Sequence, residues 1–329
     1  MGDPAGIGPE IILKAYEQRL PQHVPVVFGD LKVLEGASRT LSSSPRIQVA
    51  SSLNEACLTG NEGINLFPVT KLPRDSVYPG KVNPTSGNAA GRYIEAAIEA
   101  AKRGDIAAVV TCPIHKHAFH KGGYPYPGHT EMFADKTGTR HFGMMMASAL
   151  LKVSLVTIHL PLKDIPPALT RPRIRECITL TLKTLEGWFG IPRPDLCVLG
   201  LNPHAGENGD MGSEETEIIA PVVRDFQNQG VHVTGPIPAD TAFVRKNLKK
   251  YDAFVAMYHD QGLIPFKLLA FENGINVTMG LPFPRVSVDH GTGLDIAGKG
   301  IANPRSLRSA IRWAVRFAKS STPTSSHPL

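Results

Sequence analysis

The sequence predicts an α/β fold built on a mainly parallel sheet. Three observations predict it: short apolar runs without polar alternation, helical patterns between those runs, and a length of 329 residues. That length exceeds one comfortable hydrophobic core, so two domains are expected. Regular strand–helix alternation selects the α/β class.

The runs are "VPVVFGD" (24–30), "IAAVVTCP" (106–113), "KVSLVTIHL" (152–160), "DLCVLGLN" (195–202) and "DAFVAMYHD" (252–260). Continuous apolar character suits strands buried on both faces. Between them, "SGNAAGRYIEAAIEAAKRGD" (86–105) sets Ile94, Ala97 and Ile98 on one helical face. "RIRECITLTLKTLEGWFG" (173–190) and "SEETEIIAPVVRDFQNQG" (213–230) continue the alternation. The second opens on Glu214, Glu215 and Glu217, where a helix dipole favours acids. The chain opens on "MGDPAGIGPEIILKAYEQ", a glycine-rich loop entering a helix with Pro9 and Glu10 in its first turn. "GIGPEI" lacks the third glycine of a dinucleotide fingerprint and reads more simply as a tight helix entry.

Composition excludes several classes. An apolar fraction of 42% with 19% charged residues is that of a globular protein. No apolar stretch is long enough to span a bilayer, and no signal pattern opens the chain, so no membrane partner and a cytoplasmic location are expected. Cys57, Cys112, Cys177 and Cys197 are dispersed, as reduced thiols of a cytoplasmic protein would be. The net charge of +6 comes mostly from the C-terminus, where Arg305, Arg308, Arg312, Arg316 and Lys319 stand without acids. In "RSLRSAIRWAVRFAK" the apolar stripe is Leu307, Ala310, Ile311, Ala314, Val315 and Ala318, which leaves the arginines on a solvated face. No aromatic interleaving accompanies them, so nucleic acid is not an expected partner. The final "SSTPTSSHPL" (320–329) is expected to be a disordered tail.

His159, His204 and His259 each follow the end of an apolar run, 45 and 55 residues apart. Ligands of open α/β sheets bind outside the carboxyl ends of strands. The three are therefore either separate structural residues or one divalent-metal site acting as a Lewis acid. His129 and Thr130 in "YPGHTE", with Lys267, Asn276 and Arg285, are donors suited to phosphate or carboxylate, though each singly could be a surface group. "DHGTGLDIAGKGIANP" (289–304) carries four glycines and is either a tight turn or a loop that lets backbone approach a ligand.

"GDPAGIGPE", "YPGHTE", "LNPHAGENGDMGSEE", "GPIPADT", "AMYHDQG" and "GLPFPRVSVDHGT" occur in this order across nearly the whole chain. Together they resemble the 4-hydroxythreonine-4-phosphate dehydrogenase family of pyridoxal phosphate biosynthesis. "HGTGLDIAGKGIANP" is also similar to the adenine-side loop of isocitrate and isopropylmalate dehydrogenases. The resemblance implies two α/β/α domains with a cleft between them. Residues 1–125 and 262–329 would form the cofactor-side domain, and 126–261 the metal and dimerisation domain. It implies His159, His204 and His259 as ligands of a zinc, cobalt or magnesium ion in a site shared across a homodimer. His129, Thr130, Lys267, Asn276 and Arg285 would bind a small phosphorylated hydroxy acid. His290, Gly291, Thr292 and Asp295 would contact NAD or NADP, and Asp240 would lie near the site.

The implied reaction is oxidation and decarboxylation of 4-phosphooxy-L-threonine to 3-amino-2-oxopropyl phosphate. Alternatives are a 4-phospho-D-threonate or D-erythronate dehydrogenase, a dihydrodiol dehydrogenase of terephthalate breakdown, and a phosphate acyltransferase of related fold. Members of the family carry a strand ahead of "GDPAGIGPE", so a gap in the first sheet is expected here, with stability gained on upstream extension.

Overall fold

The computed structural model describes residues 1–17, 25–42, 44–58, 63–73 and 75–321. Val24, at the start of the first expected strand, and most of the expected Ser/Thr/Pro tail lie outside them. Eleven strands form among the described residues. They are β1 (Val26–Gly29), β2 (Ile47–Val49), β3 (Ile64–Pro68), β4 (Val109–Thr111), β5 (Gly143–Ala147), β6 (Lys152–Leu155), β7 (Leu196–Leu199), β8 (Val233–Ile237), β9 (Ala253–Ala256), β10 (Ile275–Met279) and β11 (Arg285–Val288).

The chain folds into two compact units, one of Met1–Arg140 with Leu281–Ala318, the other containing His141–Gly280. Residues 126–140 pack in the first unit and 262–280 in the second. Local physics sets both placements. Phe133 packs edge-on to Phe283, with ring centroids 6.3 Å apart, and all five residues of β10 pair with β5.

In the first unit, β1, β3 and β2 form a parallel sheet in that order, and β4 pairs in parallel with β11. Helix Pro84–Lys102 starts on a capping box in which Asn83 and Ser86 exchange side-chain and backbone hydrogen bonds. It buries Ala90, Tyr93, Ile94, Ala97 and Ile98. Gly91 is required there, because a Cβ would fall 1.9 Å from the Tyr124 ring. The glycine-rich entry loop leads into helix Gly8–Tyr16, as its sequence pattern predicts.

In the second unit the order is β10, β5, β6, β9, β7, β8. Pairs β6–β9, β9–β7 and β7–β8 are parallel, while β5 runs antiparallel to both its neighbours. The link from β5 to β6 is too short for a crossover and is closed by Ser148, whose N–H donates to the Leu151 carbonyl at 2.9 Å. Val153, Leu155, Leu199, Phe254 and Ala256 form the core beside this sheet.

Helix Arg305–Ser321 buries Leu307, Ala310, Ile311 and Ala314, as its stripe predicts, and also Phe317. Its arginines are not all solvated. Arg308 is partly buried and donates to the carbonyls of Lys14 and Ala15, which a helix C-terminus leaves without intrahelical donors. No described helix is long and apolar enough to cross a membrane. Cys112, Cys177 and Cys197 are buried free thiols.

Candidate active site

Two groups of predicted residues are gathered, one in each unit. The first centres on Arg285, at the start of β11 and 2% exposed. Its Nη2 donates to Thr111 Oγ1 at 2.7 Å and its Nη1 to Thr130 Oγ1 at 3.3 Å. The guanidinium also lies 5.4 Å from the Phe133 ring centroid. Burial lowers its pKa to about 10, so it remains cationic at neutral pH. A buried cation backed by hydroxyls is a natural seat for a phosphate or carboxylate.

His129 opens helix His129–Thr137, with Thr130 next in its first turn. Its Nε2 lies 3.1 Å from the Cys112 carbonyl oxygen. A carbonyl only accepts, so Nε2 carries the proton and Nδ1 of the neutral ring is left as an acceptor. Burial holds the His129 pKa well below the usual imidazole range, and the nearby Arg285 charge adds to the effect.

The second group lies beyond the carboxyl ends of β6, β7 and β9. Strand β6 ends at Leu155, so His159 lies four residues past it rather than on the expected run to 160. Parallel pairing nevertheless continues through Val156 and Thr157, whose N–H groups reach the Ala256 and Met257 carbonyls. Strand β9 stops at Ala256, and His259 is the first residue of helix His259–Ala270. The rings of His159 and His259 meet with centroids 5.9 Å apart. Asp260 Oδ1 accepts from His259 Nδ1 at 2.6 Å, which orients the ring and turns Nε2 away from the carboxylate.

His204 occupies the turn after β7, exposed to solvent. Among the described residues, no three His, Cys, Asp or Glu side chains gather into a group that could hold a metal. The donors are therefore a pair, His159 and His259, with His204 on a neighbouring strand end. Imidazole side chains, one of them hydrogen-bonded to a carboxylate, are chemically fit to hold a divalent ion.

Buried polar groups lace these segments together. The Met257 carbonyl accepts from Thr157 Oγ1 at 2.7 Å. Its N–H donates to Gln261 Oε1 at 2.7 Å, and Gln261 Nε2 donates to the Gly200 carbonyl at 2.6 Å. Sequence reading missed Thr157 and Gln261. The available signal was a polar residue two places from each of His159 and His259.

Lys267 and Asn276 belong to the second unit. Lys267 sits in helix His259–Ala270, with Nζ 5.4 Å from the Phe271 ring centroid. Asn276 lies on β10 opposite Met146. Asp240 is in the short helix Ala239–Ala242 that follows β8.

The expected cofactor residues lie in the first unit. Thr292 accepts at its carbonyl from the Ile7 N–H at 2.9 Å, tying loop 289–304 to the entry loop. Glu10 adds to the tie, its buried carboxylate accepting the Ala302 N–H at 2.7 Å. His290 Nδ1 lies 3.0 Å from the Gly291 carbonyl oxygen, and Gly291 and Asp295 are exposed. A cavity of about 630 Å³ opens beside this loop past the carboxyl ends of β1 and β3, lined by Pro4, Gly6, Lys32, Arg39, Asp75 and Gly298. Of loop 289–304 only Gly298 reaches it, and the four expected cofactor residues do not.

A sequence model of the pyridoxal phosphate biosynthetic protein PdxA matches residues 21–314. A 4-hydroxythreonine-4-phosphate dehydrogenase of Desulforapulum autotrophicum is 45% identical over 95% of this chain and 93% of its own. A protein of Oceanobacillus iheyensis, provisionally named D-threonate 4-phosphate dehydrogenase, is 45% identical over 97% of this chain and 96% of its own. The crystal structure of 4-hydroxythreonine-4-phosphate dehydrogenase from Klebsiella pneumoniae superposes with a TM-score of 0.87 at 41% identity, covering 97% of this chain and 98% of that one. Likeness at this level over nearly the full length shows that the chain belongs to the PdxA family of pyridoxal phosphate biosynthetic proteins.

Proposed function

We propose that the protein oxidises and decarboxylates 4-phosphooxy-L-threonine, using NAD or NADP and a divalent metal. The observation that carries this reading is the buried Arg285, held by Thr111 and Thr130 beside a neutral His129. Relatives at 45% identity bear the name of that dehydrogenase.

Arg285 would fix an anionic group of the substrate, while Thr130 and the Nδ1 acceptor of His129 orient its polar groups. Lys267 and Asn276 would contribute further donors. His159, His204 and His259 would hold the metal, and His290, Gly291, Thr292 and Asp295 would contact the cofactor. When bound, a divalent ion supplies a Lewis acid for the substrate hydroxyl, and the nicotinamide supplies the hydride acceptor. Oxidation of the secondary alcohol yields a β-keto acid, whose carboxylate leaves as carbon dioxide to give 3-amino-2-oxopropyl phosphate.

A homodimer that completes the metal site fits the surface of helix His259–Ala270. Ile264 and Leu268 on this helix and Phe271 just past its end are 67%, 84% and 71% exposed, and this apolar stripe starts five residues after His259. A cytoplasmic location goes with this soluble-enzyme reading. A second reading, oxidation of a D-threonate 4-phosphate, is favoured by the relative of that name. Metal-dependent NADH formation, assayed side by side on the L-configured and D-configured phosphorylated substrates, tests both. Turnover of the D-substrate alone would replace the first reading with the second, and turnover of neither would overturn both.

A further inference from the structure

His204 sits on a backbone path that L-residues rarely take. His204, Ala205, Gly206, Glu207 and Asn208 have φ values of 53°, 52°, 80°, 42° and 60°, a single left-handed turn. Four of the five carry a Cβ, which opposes this conformation, so the turn must be held from outside.

The hold is a carboxylate. Glu215 is 2% exposed. Its Oε1 accepts the N–H groups of Leu201 at 2.6 Å and Asn202 at 2.7 Å, and its Oε2 accepts Asn202 Nδ2 at 3.0 Å. The turn wraps directly against it, since a Cβ added at Gly206 would fall 2.7 Å from Oε2. Glu215 also opens a π-helical turn, Glu215–Ile219. Such turns are rare and recur at functional sites.

We propose that Glu215 is a positioning residue, holding the left-handed turn so that the His204 imidazole is aimed at a divalent cation. The claim rests on the reading of His204 as a metal ligand. Both carboxylate oxygens face donors, and an amide would set an N–H against Asn202 Nδ2. A residue of the same shape therefore does not replace it.

The test uses full-length Glu215→Gln, Gly206→Ala and His204→Ala proteins. It reads Zn²⁺ affinity by calorimetry, exchange of the Leu201 and Asn202 amides, and kcat against KM. Gly206→Ala keeps the carboxylate but crowds it, so it carries the test if Glu215→Gln does not fold. In a folded Glu215→Gln or Gly206→Ala protein, Zn²⁺ binding is expected to weaken at least about tenfold, as for other residues that orient metal ligands. The two amides should exchange faster, and kcat should fall while KM changes little. His204→Ala should weaken Zn²⁺ binding with both amides still protected.

Parental Zn²⁺ affinity in folded Glu215→Gln or Gly206→Ala, alongside weakened His204→Ala, overturns the proposal. If His204→Ala binds Zn²⁺ like the parent, the metal reading fails on its own. Amide exchange then decides the role of Glu215, and unchanged protection overturns it.

Discussion

The side-chain amide of Gln261 donates to the Gly200 carbonyl at 2.6 Å and thereby joins the segment of His259 to that of His204. The same amide accepts the Met257 N–H, so one buried side chain satisfies two backbone groups at the ends of β7 and β9. Gln261→Met keeps the length and removes both bonds. Leaving a buried donor and acceptor without partners is expected to cost about 2–4 kcal/mol, read as a lower urea midpoint at unchanged slope. A midpoint equal to the parent's would show that the clasp contributes nothing net.

Arg285 is buried against Thr111 and Thr130, and its planar fork reaches both hydroxyls at once. Lysine keeps the charge but not the fork. Arg285→Lys is expected to raise KM for the phosphorylated substrate at least about tenfold, with a smaller change in kcat. Steady-state kinetics check this, and an unchanged KM would remove Arg285 from the substrate's contacts.

His129 gives the stability a pH dependence whose sign is fixed. Its folded pKa is depressed below the ordinary value of 6.5, so between the two values the unfolded chain binds a proton that the folded chain does not. Stability therefore falls as pH drops from about 6.5 towards the folded value, and is flat above. Melting temperatures measured from pH 7.5 down to pH 5 should fall less steeply in His129→Asn than in the parent. Parallel curves would count against a buried neutral ring.

Leu268 is 84% exposed on helix His259–Ala270, with Ile264 one turn earlier and Phe271 nearly one turn later. If a second copy covers this stripe, Leu268→Asp should convert a dimer to a monomer in sedimentation equilibrium and weaken Zn²⁺ binding with it. A dimer that survives the change would place the interface elsewhere.

Much of this protein was legible in its sequence, and the failures share a cause. Periodicity located the cores of β1, β4, β6, β7 and β9, because a continuous apolar run of that length has few other uses in a globular chain. It passed over β5, "GMMMA", whose methionines carry no β-branched signal, and β10, whose Asn276 and Thr278 interrupt the apolar pattern. Both are strands because each finds hydrogen-bonding neighbours far along the chain, which no local window contains.

The same division holds at the candidate site. The sequence by itself determined the chemical inventory: three histidines past apolar runs, a donor set around Arg285, and the ordered motifs that mark the family. Only the tertiary structure decided which of them meet. Arg285 lies 155 positions from Thr130 and 174 from Thr111, and Glu215, read locally as one acid of a helix's first turn, is instead buried beneath the left-handed turn that carries His204. A side chain's type travels with the sequence. Its partners and burial depend on contacts between distant segments, and those exist only once the chain is folded.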